Sequence, residues 1–504
     1  YLFRSRNEKL RVLVEAQLAL GVAFVTVAVP LALDARWTSV AWALQGAALV
    51  WLGCRQQRKL ALAAGLLLQA ASAAAYVDYG FGFADADLPI LNGHYLGALL
   101  LALAALFSAR VLDPSRERAA EAPLPAPLAG GLAGLLLLWG SAWWFFGGIA
   151  EIESQVSSSA EFGSWLLFIA GTAVLATLLP KRIDWPRLDW VAVVLWPFAA
   201  IAAAASLWAF DHPAENLGWL AWPGAFAAML FFLRQREERF PVLTPALHAS
   251  GYWLVTGLAA WETHWLVARA AGGVWPEAAT LAVVAALLFA TLHATRRDGW
   301  PFGTHARTYA LPGGGLVLAG LVTATLVLNV QSDGGAAPLP YVPLVNPLEL
   351  VSVLVVFLLL RYLRQLADGG AGAEYAKSNG VIGGAAAWFL VTMAVARGVH
   401  HLAGVPYDLD SLAASTTFQT ALSIVWGIAG LAGMIAGTLL ARRNVWMTGA
   451  VLMGIVVVKL FLVDLGNTDT LARVVSFLGV GVLLLVVGYF APVPPRVRAE
   501  AQAA

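Results

Sequence analysis

The residues best suited to chemistry lie between Arg397 and Asp410. Arg397, His400 and His401 close an apolar run, and Asp408 and Asp410 follow in the next connection. A histidine with a carboxylate from a neighbouring loop can act as general acid and base or bind a metal, and an arginine can hold a phosphate or carboxylate. The candidate catalytic residues are therefore His400, His401, Asp408 and Asp410, with Arg397 as a candidate binding residue. A structural alternative stays open, because arginine and histidine also cap the last carbonyl groups of a helix.

Two further groups of polar residues have a similar character. Glu262 and His264 lie near the end of an earlier apolar run. This position corresponds to that of His400 and His401 in the run that ends near residue 402. Lys459 lies inside an apolar run near its end, and Asp464 and Arg473 follow it. A charge inside a membrane span is costly and is usually paired or functional, so these five are candidate binding residues. A salt-bridged helical hairpin is the alternative for the Lys459 group, and the sequence assigns no metal site and identifies no cofactor.

Several classes of protein are excluded by missing motifs. The sequence contains no Walker loop, no dinucleotide-binding glycine pattern, no HExxH and no GxSxG, which carry the chemistry of nucleotide-dependent enzymes, zinc proteases and serine hydrolases. The single cysteine, Cys54, excludes an intramolecular disulfide. Nucleic acid is not an expected partner, because the basic clusters alternate with apolar runs as topological signals do.

The elements that must position these residues are apolar helices. The chain is 60% apolar and only 12% charged, whereas about a quarter of the residues of a soluble domain are charged. Apolar runs of about 20 residues, each long enough to cross a bilayer, recur along the chain and predict an all-α integral membrane protein with about 16 transmembrane helices. The predicted spans are 10–32, 37–54, 58–77, 88–109, 127–148, 161–179, 187–209, 215–233, 245–268, 276–294, 308–330, 345–366, 381–402, 413–440, 444–464 and 470–490.

The distribution of positive charge predicts the orientation of these spans. The N-terminal tail and the connections after even-numbered spans, including the C-terminal tail, hold nearly all of the 31 Lys and Arg residues; the exceptions are Arg36, Arg269, Arg397, Lys459 and Arg473. Lys and Arg accumulate on the cytoplasmic side of membrane proteins. Both termini are therefore predicted to lie in the cytoplasm, and the histidine pair is predicted to face outward.

A repeated segment predicts how the helices are grouped. The apolar runs 216–234 and 346–364 have equal length, and each opens with Asn and closes with Arg; a fainter third copy spans 92–110. We predict one polytopic membrane domain, 1–490, followed by a short cytoplasmic tail, 491–504. Within it we predict repeated four-helix units at roughly 36–150, 155–268, 276–404 and 413–490, with 10–32 as a leading helix.

The asparagine that opens each copy is predicted to cap its helix. Asn346 precedes Pro347 and lies three residues before Glu349, an arrangement typical of a capping box. Asn92 and Asn216 are predicted to cap in the same way.

Two segments carry a family resemblance. RWTSVAWALQGAALVWLG near the start and KLFLVDLGNTDTLARVVSFLGVG near the end resemble the bacterial multi-pass membrane family called domain of unknown function 2339. The resemblance runs over most of the chain and implies a bacterial inner-membrane location. Members of the family are usually longer, and this chain begins without Met, so we expect it to be the C-terminal portion of such a protein. Gln45 stands where the resemblance leads us to expect Glu.

Three functions follow as alternatives. The first is an inner-membrane protein of envelope biogenesis that handles or modifies a lipid-linked or glycan substrate at an outward-facing groove. The second is a repeat-built solute transporter, and the third is a non-catalytic scaffold that packs against membrane protein partners. The lipid bilayer is a partner in all three. A lipid-sized outward cavity lined by His400 would favour the protein that handles a lipid-linked or glycan substrate. A polar cavity at mid-bilayer would favour the transporter, and packed helices with no cavity would favour the scaffold.

Overall fold

The structure is a computed structural model of the chain, and every regular element in its described residues is helical. These residues are 35–78, 88–116, 122–368 and 373–459, with isolated positions between 17 and 28 and at 481 and 485. The predicted all-α class is therefore confirmed for this part of the chain. The chain divides into two compact units, Tyr1–Val255 and Thr256–Ala504.

The first unit begins with two helices in close contact. A Cβ atom on Gly46 would lie 2.8 Å from the carbonyl oxygen of Gly65, and one on Gly65 would lie 2.7 Å from that of Gly46, so only glycine allows this approach of two backbones. The helices are α1 (Ala35–Arg55), α2 (Lys59–Asp78), α3 (Gly93–Leu112), α4 (Ala126–Gln155), α5 (Ser158–Ile183), α6 (Asp189–Val193), α7 (Leu195–Ala209) and α8 (Gly218–Arg236), and α9 (Thr244–Ala270) continues across the division.

Buried carboxylates hold connections of the first unit to arginines. Asp189 is fully buried and lies 3.1 Å from Arg236 and 2.8 Å from Arg239. Asp113, also fully buried, lies 3.0 Å from Arg187. A buried charge is costly unless it is paired. These arginines therefore neutralise buried carboxylates, in addition to the topological role that the sequence predicts for them.

The second unit is built around an apolar core shared by three helices. Leu288, Leu318 and Leu358 are buried together in this core. The helices are α10 (Trp275–Ala294), α11 (Gly315–Gln331), α12 (Pro347–Asp368), α13 (Ala373–Ala403), α14 (Leu409–Ala414), α15 (Thr416–Leu439) and α16 (Arg443–Lys459). A turn at Ala306–Thr308 and a π-helix at Tyr309–Gly314 lead into α11.

The helices have the lengths and surfaces that a membrane requires. The described residues contain 10 helical segments long and apolar enough to cross a bilayer. Large apolar side chains also cover the outside, for example Trp208 at 92% and Leu60 at 88% exposure, which is unfavourable in water but suits contact with lipid. The chain is therefore a membrane protein with many apolar helices. The number of 16 crossings, the repeated units and the orientation remain predictions.

Two of the three predicted asparagine caps are confirmed. The side chain of Asn92 accepts a hydrogen bond from the backbone N–H of Tyr95 at 2.8 Å, and that of Asn346 accepts one from Leu348 at 2.9 Å. The prediction for Asn216 is wrong: α8 begins at Gly218, its cap residue is Leu217, and Asn216 has a positive φ of 52°. Because the backbone of Asn216 is left-handed, the helix begins one residue later than predicted and Asn216 does not occupy the capping position.

Candidate functional site

Arg397 on α13 is fully buried and forms the centre of a polar cluster in the second unit. Its Nε donates to Oε1 of Glu349 at 3.2 Å, Nη1 donates to the backbone oxygen of Asn329 at 3.3 Å, and Nη2 donates to Oδ1 of Asn329 at 3.0 Å. These contacts join α13 to α12 and α11. Each guanidinium nitrogen thus has a partner inside the protein, which buried charge requires.

Glu349 is held by donors from the segment that precedes its own helix. Its Oε1 also accepts from the hydroxyl of Tyr341 at 2.6 Å, and its Oε2 accepts from the backbone N–H of Leu344, which has a φ of 68°. The expected capping box is therefore replaced, because the carboxylate binds Leu344 and Arg397. Burial, together with the hydrogen bond to Glu349 and its negative charge, raises the pKa of Tyr341.

Asn329 lies near the end of α11 and connects further elements to the cluster. Its Nδ2 donates to the hydroxyl of Ser352 on α12 at 2.8 Å, and its backbone oxygen accepts from the hydroxyl of Tyr407 at 2.7 Å. Asn329 and Ser352 are fully buried. Burial also raises the pKa of Tyr407, so at neutral pH this hydroxyl keeps the proton that it donates.

The cluster supports the segment 332–346, which connects α11 to α12. Gly334 has a φ of 74°, and a Cβ atom there would lie 2.7 Å from Cδ of Arg397. Asn346 donates from Nδ2 to the backbone oxygen of Gly334 at 2.6 Å. The backbone N–H of Val274 donates to the backbone oxygen of Gly335 at 2.8 Å. The backbone of this segment is therefore fixed in close packing against the side chain of the buried Arg397.

This arrangement brings Asp333 to the predicted histidine pair. Nε2 of His400 lies 3.4 Å from Oδ2 of Asp333, and Nε2 of His401 lies 2.9 Å from the backbone oxygen of Asp333. Nδ1 of His400 lies 2.7 Å from the backbone oxygen of Val405, and His401 stacks on Tyr341 with ring centroids 4.5 Å apart. The carboxylate that faces the pair thus comes from the segment before α12.

The predicted carboxylates of the following connection have other positions. Asp408 is the N-cap of α14, where its Oδ1 accepts from the backbone N–H of Ser411 at 2.8 Å. This hydrogen bond lowers the pKa of the exposed Asp408 carboxyl. Asp410 lies in the first turn of α14 and is exposed, where a negative charge interacts favourably with the helix dipole.

Two depressions flank the segment 332–346. A polar one of about 440 Å³ is lined by Gly273, Val274, Gln331, Ser332, Asp333 and Tyr407. An apolar groove of about 390 Å³ begins at the next residue of the chain and is lined by Trp275, Ala278, Leu339, Val345, Pro347 and Leu350, among others. Val274 in the first lining and Trp275 in the second are consecutive in the chain.

The remaining predicted binding residues lie elsewhere. Glu262 is partly buried and His264 is exposed, both on α9. Lys459 at the end of α16 donates from Nζ to the backbone oxygen of Gln419 at 3.0 Å and to the hydroxyl of Ser423 at 2.8 Å. The other two members of that group, Asp464 and Arg473, lie outside the described residues.

Four residues of the cluster are not among the site residues predicted from the sequence: Asn329, Asp333, Tyr341 and Tyr407. Asn329 did carry a usable signal, because a buried amide near the end of an apolar span needs a polar partner. Asp333 precedes two glycines, a pattern typical of a turn. Neither signal identifies its partner, because Asn329 and Asp333 each lie 68 residues from the side chain that they contact on α13.

Comparison with known proteins identifies a family. The family model described as "Predicted membrane protein (DUF2339)" matches residues 1–494. The resemblance expected from the two terminal motifs is therefore confirmed, and the match covers nearly the whole chain, not only its C-terminal portion. No curated protein and no solved structure matches the chain.

Proposed function

Because the chain belongs to the DUF2339 family of predicted membrane proteins, we propose that it acts in a bilayer by binding a lipid-linked glycan at the end of α13. We place this bilayer in the bacterial inner membrane and the site on its outer face, as the charge distribution of the sequence predicts. The sugar occupies the polar depression and the hydrocarbon chain occupies the apolar groove.

The observation that carries this proposal is the adjacency of the two surfaces. Asp333, Ser332, Gln331 and Tyr407 supply carboxylate, hydroxyl and amide groups to the polar depression, and these groups match the donors and acceptors of sugar hydroxyls. The groove that is lined by Leu339 and Val345 of the same segment has mainly apolar residues. An amphiphile that lies across Val274 and Trp275 would place each of its halves against a surface of its own polarity.

The headgroup would lie beside groups that can transfer a proton. Nδ1 of His400 faces a backbone carbonyl, which only accepts, so Nδ1 carries a proton and Nε2 is the nitrogen left to exchange a proton with a ligand. Nε2 is 3.4 Å from Oδ2 of Asp333, within the range from which a bound substrate can tighten the contact. We assign the carboxylate role to Asp333 in place of Asp408, because Asp408 is used as a helix cap.

Arg397 has an indirect role in this proposal. Its nitrogens are bonded to Glu349 and Asn329, and Gly334 lies over its side chain. It is therefore a positioning residue that holds the segment carrying Asp333, and the polar depression rather than Arg397 contacts the ligand.

A binding experiment with a matched pair of variants tests the proposal. The protein is placed in phosphatidylcholine nanodiscs that contain monoglucosyl diacylglycerol, and bound lipid is counted by native mass spectrometry after release. Leu350 and Val353 both lie on α12 and are similarly exposed, at 54% and 60%, but only Leu350 is among the groove residues. We expect Leu350→Trp to lower retention about tenfold, equivalent to about 1.4 kcal/mol, and Val353→Trp to leave it unchanged.

A second comparison addresses the headgroup. With phosphatidylglycerol in place of the glucolipid and EDTA in the buffer, we expect weaker retention, because Asp333 without a bound cation repels an anionic headgroup. Gln331→Leu should reduce retention of the glucolipid alone. Equal retention of both lipids, or equal effects of Leu350→Trp and Val353→Trp, would reject the proposal.

A further inference from the structure

We infer that Asp333, His400 and His401 form a binding site for one divalent transition-metal ion, such as Zn²⁺. One ligand atom from each of these residues lies within 4.8 Å of the other two. Imidazole nitrogen and carboxylate oxygen are a ligand set that zinc takes at catalytic centres, where three protein ligands leave a fourth position open.

His400 is oriented as a metal ligand would be. Its Nδ1 donates to the backbone oxygen of Val405 at 2.7 Å, which makes Nε2 the nitrogen available to a metal. The distance from that Nε2 to Oδ2 of Asp333 is 3.4 Å, close to the ~3.3 Å that separates two ligands on a tetrahedral zinc ion with bonds of about 2.0 Å. The pair therefore needs little movement to share an ion.

The carboxylate of Asp333 is oriented towards His400 by a hydrogen bond to the backbone. Its Oδ1 accepts from the backbone N–H of Gly335 at 2.9 Å, so Oδ2 is the oxygen that faces His400. The glycine-containing backbone around it is held by Asn346 and by the buried Arg397. A carboxylate with one oxygen bonded to the backbone and the other directed at an imidazole is suited to bind a metal through one oxygen.

His401 completes the set from the exposed side of the last turn of α13. Its ring lies 4.8 Å from that of His400, centroid to centroid, and the planes cross at 73°. The ring stacks on that of Tyr341, with centroids 4.5 Å apart. Its Nε2 donates to the backbone oxygen of Asp333 at 2.9 Å, and the metal would either bind Nδ1 or replace this exposed hydrogen bond at Nε2. His401 is thus the ligand that adjusts.

The metal site adjoins the polar depression through Asp333. An ion there could bind water or a ligand oxygen at its fourth position and act as a Lewis acid. The site shares one residue with the proposed glycan-binding surface, but it stands on the geometry of the three side chains, and its test requires neither lipid nor activity.

The test measures binding of the metal alone by the full chain in detergent. The protein is stripped with EDTA, dialysed, and titrated with ZnCl₂ by calorimetry; Co²⁺ is then used as a probe, because its visible absorption reports the number and type of ligands. We expect one Zn²⁺ per chain and a Co²⁺ spectrum typical of four-coordination. Asp333→Asn, His400→Gln and His401→Ala should each weaken binding by more than about tenfold, since even outer-shell partners contribute about 10–100-fold to affinity.

His293→Ala is the matched control, because His293 is also exposed on a helix of the same unit. It should leave the affinity unchanged. Thermal unfolding of each variant without metal shows whether it is folded, and Zn²⁺ should raise the unfolding temperature of the parent protein but not that of His400→Gln. Absence of Zn²⁺ binding by the parent protein, or unchanged affinity in both folded Asp333→Asn and His400→Gln, would overturn the inference while leaving lipid retention to decide the proposed function.

Discussion

Arg397 and Glu349 form a buried ion pair, with Nε of the arginine 3.2 Å from Oε1 of the carboxylate and both residues at most 5% exposed. The pair links α13 to α12, and the segment that carries Asp333 lies over it. A buried pair of this kind contributes little net stability but makes the loss of either partner costly, because the remaining charge stays buried. Its value here is positional: it fixes one arrangement of helix ends and connecting segment.

Removal of one member of this pair should destabilise the protein strongly. We expect Arg397→Met to lower the free energy of unfolding by about 3–5 kcal/mol, and Arg397→Met combined with Glu349→Leu to cost less than the sum of the two single changes. Denaturant unfolding in detergent measures both. The control is Arg269→Met, since Arg269 is exposed and stacks on Trp265; its cost should stay below about 1 kcal/mol. Additive effects of Arg397 and Glu349 would contradict the coupling.

Another buried carboxylate holds the start of α3 in the first unit. Glu151 accepts from the backbone N–H of Ile90 and from Nδ2 of Asn92, both at 2.7 Å. Glu151→Gln replaces one acceptor oxygen by a donor, so we expect a loss of about 1–3 kcal/mol in unfolding free energy. Glu153→Gln, two residues away and exposed, should change it by less than about 0.5 kcal/mol. Equal effects of the two substitutions would show that the contact of Glu151 with Ile90 is not formed.

These two carboxylates bear on the predicted repeat. Ile90 and Leu344 each have a positive φ of nearly 70°, each donates its backbone N–H to a buried glutamate, and each lies two residues before a capping asparagine. In the first unit the glutamate comes from the returning helix, whereas in the second unit it comes from the leading helix and the returning helix supplies Arg397. This correspondence supports the interpretation of the two segments as copies, which stays a prediction.

The sequence predicts the helical class of the chain because the signal is local. A run of about 20 apolar residues satisfies its own backbone only as a helix in lipid, and the caps at Asn92 and Asn346 involve neighbours two or three residues away. Asn216 shows the limit, since one left-handed residue is enough to move a helix start.

The candidate site was only half predictable because its partners are distant in the chain. The pair His400 and His401 was visible as an unusual cluster, but the nearest acidic residues in sequence, Asp408 and Asp410, belong to a helix start. The acid that faces the pair, Asp333, is brought there by the fold of the second unit. For the same reason the sequence could not show that Arg397 points into the protein, where Glu349 and Asn329 meet it.

The hydroxyl of Tyr341 should make stability depend on pH in the alkaline range. Burial and the contact with Glu349 raise its pKa above the ordinary value of 10.0, so the folded state keeps a proton that the unfolded state loses. The contribution of this group is complete below about pH 10 and falls as the pH rises further. We expect unfolding free energy to decline more steeply between about pH 10 and pH 12 in the parent protein than in Tyr341→Phe. Parallel curves for the two proteins would contradict the raised pKa.

The predicted orientation can be tested with single cysteines. The native Cys54 is buried. It is the single cysteine of the sequence, so Cys54→Ser gives a cysteine-free background. Leu402, 78% exposed beside the histidine pair, should face outward, and the exposed Arg297 should face the cytoplasm because it belongs to a basic connection. With a membrane-impermeant maleimide, we expect Leu402→Cys to react in intact spheroplasts and Arg297→Cys to react only after permeabilisation. The reverse pattern would place Asp333, His400 and His401 at the cytoplasmic surface, and a glycan ligand on the outer face could then no longer be their partner.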